Sequence, residues 1–159
     1  MDKIKIIAGL DIGNGYVKGA TKANDADNVN IDIPSCVAAV PNPTDLPATD
    51  IKNEIDNIFD RATITFDSPL VTGIHATTRA YLGRRGVESG KSITAFDIES
   101  HVSKANQPLS AVLVLSIIAG AALQNYYRTK NALPTETIQV EAKTALALPI
   151  TEFKTYRDS

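Results

Sequence analysis

Apolar and polar positions along the chain change period several times, and each change marks an element. Ile4 to Ile12 is nearly all apolar, with polar residues only at Lys5 and Asp11. That pattern predicts a central strand covered on both faces. After the turn sequence Gly13-Asn14-Gly15, Tyr16 to Thr21 reads as a second strand, and Val29 to Ile33 alternates with period two as a third, ended by Pro34. Three strands joined by short turns predict an antiparallel meander.

The middle of the chain carries a weaker pattern. Pro41 to Asp50 holds three prolines and predicts an extended loop. Ala62 to Ser68 predicts a short strand, and Gly73 to Gly83 a strand passing into a helical turn. Gly83, Gly86 and Gly90 punctuate what reads as a polar connection. The section from about 34 to 100 is therefore expected to be an irregular insertion.

Pro108 to Arg128 is the clearest helix. Pro108 suits a first helical position, and Gln107 or Ser110 is the expected cap. Apolar residues on almost every side predict burial between layers. Arg128 and Lys130 fall where the helix dipole favours cations. Its apolar run, Leu109 to Leu123, is shorter than the roughly 18 to 20 residues a bilayer crossing needs, so no membrane partner is expected. Thr137 to Ile150 resumes strand character, and the polar Thr151 to Ser159 reads as helix-ready. No repeat or low-complexity tract occurs. The order of elements predicts an α/β fold, a mixed sheet with helices packed on it.

Composition adds limits. A chain of 159 residues suffices for one domain with its own core, and 43% apolar with 21% charged residues is ordinary for a globular protein. A net charge of −2 offers no concentrated basic face for nucleic acid, and the basic cluster Arg79 to Arg85 reads as a solvated loop. The single cysteine, Cys36, forms no internal disulfide, suits a reducing compartment and is expected to be buried and inert. His75 and His101 do not lie at metal-ligand spacing from it. No signal peptide is visible, and a cytoplasmic location follows.

The candidate chemistry sits at Ala8 to Ala20, "AGLDIGNGYVKGA". Asn14-Gly15 between strands is a strong hairpin signal, because both central residues of a type I′ turn need positive φ. Three features add a phosphate-binding reading. Gly13 and Gly15 let backbone N–H groups approach an anion. Asp11 ends a buried strand beside the turn, where a carboxylate suits a hydrated Mg²⁺. Lys18 shares the parity of Tyr16 and lies on one face with it. On the residues alone, both readings stand.

The segment "IAGLDIGNGYVKGA" resembles the first phosphate motif of the superfamily that includes actin, sugar kinases and heat-shock chaperone ATPases. Asp-Ile-Gly-Asn-Gly, with lysine three residues after the last glycine, is similar to the ParM-type actin-like ATPases of plasmid segregation. The apolar helix followed by a strand ending "ALALPI" resembles the later part of that group's first domain, with Ala147 where glycine is usual. The resemblance implies a ribonuclease-H-like first domain spanning 1–159, with the second domain absent. It also implies roles. Amides from Gly13 through Tyr16 would cradle the phosphates of ATP or GTP, Asn14 would add a side-chain contact, Lys18 would neutralise charge, and Asp11 would hold Mg²⁺ through water. Self-association into filaments and a DNA-bound adaptor protein are the implied partners. The complete two-domain protein would be the ATPase. A small-molecule kinase of the same superfamily and a non-enzymatic interaction domain with this fold are the alternatives.

Two further features lie outside this motif. Gly90-Lys91-Ser92 matches the end of a P-loop, but Arg85 stands where its first glycine belongs, so a surface loop, with a filament contact as its role, is the reading. Asp97, Glu99 and Glu152 are expected on solvated surface, and no residue is nominated to activate water.

Overall fold

In a computed structural model, the structure describes residues 3–40, 50–68, 79–100 and 102–147. Strand β1 (Ile4–Ile12) pairs antiparallel with β2 (Tyr16–Ala23), which pairs antiparallel with β3 (Val29–Pro34). The expected meander is present. Strand β4 (Cys36–Ala39) follows, and the chain then builds helices α1 (Ile51–Asp56) and α2 (Ile58–Arg61), strands β5 (Thr63–Ile64) and β6 (Ala80–Leu82), helix α3 (Gly83–Glu88) and strand β7 (Ile93–Ala95). A 3-10 turn at Lys104–Asn106 leads into α4 (Pro108–Lys130), and β8 (Val140–Ala147) ends the described chain.

Two sheets result. The main sheet has the order β3-β2-β1-β8, with β8 parallel to β1 and α4 in the crossover between them. The second, order β5-β6-β4-β7, is antiparallel and built wholly within 34–100. The described residues of that section thus carry regular elements, a four-stranded sheet with helices α1, α2 and α3. Two of its strands fall where short strands were expected, β5 within 62–68 and β6 within 73–83, while β4 and β7, of four and three residues, are too short for periodicity to register. The proline-rich 41–49, and 69–78, lie outside the described residues, as do His75, His101 and Glu152.

The core forms where α4 lies on β1 and β2. Leu109, Val112, Leu113 and Ile117 of α4 meet Ile4, Ile6, Leu10, Ile12, Val17 and Ile33, all buried. Each such side chain contributes roughly 1.5–3 kcal/mol through removal from water. On another side α4 receives Phe59 of α2 at Gly120, where a Cβ would stand 2.8 Å from the ring. Pro108 occupies the first turn as expected. Gln107 is the N-cap residue, but its side chain makes no capping bond; it holds Asp97 and Val102 instead. The helix closes on Asn131, in the left-handed conformation. It runs past the apolar stretch, to 23 residues, and is long and apolar enough in composition to cross a membrane, but 44% of its most apolar window is buried against this core.

Strand β1 is central, as expected, yet it is not covered on both faces. Burial alternates along it without a break, and Ile7 is 60% exposed. Among the described residues, α4 covers one face and nothing covers the other, so Lys5, Ile7 and Asp11 stay open. The basic cluster also differs from its reading as a solvated loop. Arg85, on α3, stacks 4.1 Å from the Tyr81 ring and donates to Arg61 O at 2.8 Å, and Arg84 pairs with Asp60. Cys36 is buried, its Sγ 3.6 Å from Gly83 O, and burial pushes its thiol pKa up. An inert thiol follows.

Candidate phosphate-binding turn

The register of β1 on β2 builds the site. Asp11 lies opposite Lys18, and Ile12 opposite Val17. Directly opposed residues share a face, so Asp11 and Lys18 stand together on the open side of the sheet. Lys18 is in turn opposite Asp32 on β3, placing the cation in a row between two carboxylates. No ion pair joins them among the described residues. Lys18 Nζ lies 6.0 Å from the centre of the Tyr16 ring, on the face their shared parity predicts.

The tip of the hairpin is not a type I′ turn. Neither Asn14 nor Gly15 has positive φ. Gly13 N–H donates to Tyr16 O at 2.9 Å, but Gly13 O does not receive the return bond from Tyr16. It accepts the Ser35 hydroxyl at 2.7 Å instead, while Ser35 N–H donates to Gly15 O at 2.9 Å. Ser35, 2% exposed, thus pulls the turn open from the β3–β4 junction. On the other side Lys104 Nζ donates to Ile12 O at 2.7 Å. Sequence reasoning missed both braces, since neither belongs to a motif and Lys104 comes from far along the chain.

This bracing has a chemical consequence. Among the described residues, the backbone N–H groups of Asn14 and Gly15 have no acceptor. The two flanking glycines differ in kind. A Cβ on Gly13 would meet Tyr16 O at 2.7 Å, so the fold itself requires glycine there. A Cβ on Gly15 would meet nothing within 4 Å, which leaves clear space above the free amides. Asp11 and Lys18 are exposed beside them. Free amides, open space, a cation and a carboxylate at the carboxyl ends of parallel strands β1 and β8 form a set suited to an anion with a hydrated metal ion. The residues present therefore fit a nucleotide phosphate with Mg²⁺.

The P-loop-like Gly90-Lys91-Ser92 has no such setting. It follows helix α3 rather than a strand, Gly90 takes φ +72°, and Lys91 N–H donates to Ser89 Oγ. Asp97 is exposed as expected, its carboxylate accepting the N–H groups of Glu99 and Ser100. Among the described residues, no group of three or more potential metal ligands occurs.

No protein-family model matches the chain. No curated protein sequence matches it either. Solved structures do. ParM from Bacillus thuringiensis in apo form superposes with a TM-score of 0.65 at 17% identity, over 94% of this chain and 36% of that one. The same protein with ATP gives 0.64 at 18% identity, over 93% and 34%. A 15-stranded ParM filament from Clostridium botulinum gives 0.50 at 19% identity, over 99% and 38%. The chain thus has the actin-like, ParM-type α/β fold, and it spans about a third of the length of the ParM chains it matches.

Proposed function

We propose that this chain is the first domain of an actin-like filament protein that binds ATP or GTP with Mg²⁺ and polymerises, in the cytoplasm, for plasmid DNA segregation. The observation that carries this reading is the turn at Gly13–Gly15, with two backbone amides lacking acceptors beneath open space and Asp11 and Lys18 beside them. Gly13 shapes the turn, the amides of Asn14 and Gly15 donate to phosphate oxygens, and Tyr16 closes the hairpin. Lys18 offsets phosphate charge, and Asp11 faces the hydrated cation. The metal, when bound, neutralises phosphate charge and orients the chain of phosphates.

The likeness to ParM, including a filament of it, supports a polymerising protein over a small-molecule kinase or a domain without a ligand. Filament partners and a DNA-bound adaptor would engage the complete two-domain protein, and water activation is assigned to none of the residues here. The test is Mg-ATP titration of the ¹⁵N-labelled chain. Shifts confined to Asn14, Gly15 and their neighbours are expected, and Gly15→Val, which the open space lets fold normally, should abolish them. Equal shifts in both proteins, or none in either, reject the assignment.

A further inference from the structure

At the end of β2 remote from the phosphate turn, a cavity of about 310 Å³ opens between the β2–β3 connection and the C-terminal half of α4. Thr21 and Gln124 line it, 2% and 3% exposed, with Ala23 and Ala121 as apolar lining and Asp27 and Arg128 also lining it, both exposed. Gln124 Nε2 donates one of its two N–H groups to Ile55 O at 3.1 Å, which orients the amide and leaves Oε1 as its acceptor. Among the described residues, neither Gln124 Oε1 nor Thr21 Oγ1 has a hydrogen-bond partner. Buried polar groups are nearly always paired, so two unpaired ones lining one cavity call for an occupant. A single ordered water occupies about 30 Å³, far less than this space.

We propose that this cavity is a binding site for a small neutral polyol or sugar. The two unpaired atoms are uncharged, and a charge brought to them would lose its hydration without a counter-charge. Neither charged lining residue supplies a buried one, because Arg128 is paired with Asp56 at 3.1 Å and Asp27 is exposed, its charge screened by water. Hydroxyls meet both needs, since a hydroxyl can donate to Gln124 Oε1, which only accepts, and can accept from the Thr21 hydroxyl. Small apolar walls with a few fixed polar groups are the usual build of such a site. The site is separate from the phosphate turn and does not depend on it.

The test titrates the labelled chain with glycerol, ribose, glucose and myo-inositol, reading amide shifts at 21–29 and 121–129. At least one of the four is expected to shift those amides and no others. Thr21→Val keeps the side-chain volume and removes the hydroxyl; its affinity should fall at least tenfold, while Thr21→Ser retains binding. No response to any of the four, as when water alone fills the cavity, overturns the proposal. So does unchanged affinity in Thr21→Val, or a stronger response to acetate or ethylammonium than to the neutral compounds.

Discussion

Ser35 clasps the turn at Gly13 from the neighbouring strand junction, its hydroxyl donating to Gly13 O at 2.7 Å from a site that is almost fully buried. Removing that hydroxyl leaves a carbonyl oxygen without its donor. Ser35→Ala should therefore lower stability by about 1 kcal/mol, or roughly 2–4 °C in Tm. It should also let the Gly13 carbonyl turn back toward Tyr16, so phosphate affinity falls along with stability. Urea denaturation and the Mg-ATP titration on one protein check both; loss of stability with unchanged affinity would confine Ser35 to the fold.

The glycines of the turn should separate in their response to alanine. Gly13→Ala forces a Cβ against Tyr16 O, 2.7 Å away, and should cost about 1–3 kcal/mol. Gly15→Ala places its methyl in open space and should stay within about 0.5 kcal/mol of the parent. Denaturation midpoints of the two variants decide it, and equal costs would refute the geometry of the turn.

Asp11 should matter to nucleotide only when metal is present. Asp11→Ala is expected to weaken Mg-ATP binding about tenfold while leaving metal-free ATP binding little changed, since a water-mediated carboxylate acts on the cation. Calorimetry with Mg²⁺ and with a chelator separates the two. Equal losses in both would make Asp11 a structural residue. The chain by itself is expected to show no ATP turnover, and a steady rate of phosphate release would refute that.

The acid limb of stability should report one surface cluster. Hydrogen bonds from Lys52, at 2.6 Å, and then from Arg128 hold the Asp56 carboxyl below its ordinary pKa and tie α1 to α4. A carboxyl lowered in the folded state stabilises above its unfolded pKa, and that contribution is lost as pH falls through its folded pKa. Asp56→Asn should thus lower Tm slightly at neutral pH and converge on the parent in strong acid. The group is exposed, so the effect is small and fades with salt. A difference that persists in strong acid would point to the helix contact instead of the charge.

The main sheet and α4 were legible because long periodic segments carry their own signal: β1, β2, β3 and α4 lie within two residues of their expected bounds, and β8 begins three residues after its expected start. The second sheet was legible only in part: short strands were expected over 62–68 and 73–83, where β5 and β6 lie, but β4 and β7 were not, because strands of three or four residues exist only through their pairing partners. Gly83 and Gly86 read as loop punctuation, yet both are buried in α3, where a Cβ on Gly86 would press on Tyr81 O at 3.0 Å. At the candidate site, Asp11, Gly13, Asn14, Gly15 and Lys18 lie in one short stretch, so spacing in the sequence is enough to nominate them. Ser35, Asp32 and Lys104 reach the same place through tertiary contact, which spacing in the sequence does not encode.

Strand β1 gains its two neighbours at very different times. Its pairing with β2 is local, whereas the partner of Ile4 on the other side is Val140. On a ribosome, β1 would wait with one edge of backbone donors and acceptors unpaired until β8 emerges. Such an edge invites pairing with other chains. The strand that ends at the candidate site is therefore completed by a pairing distant in sequence, and conditions that delay β8 should cost yield through aggregation before they cost stability.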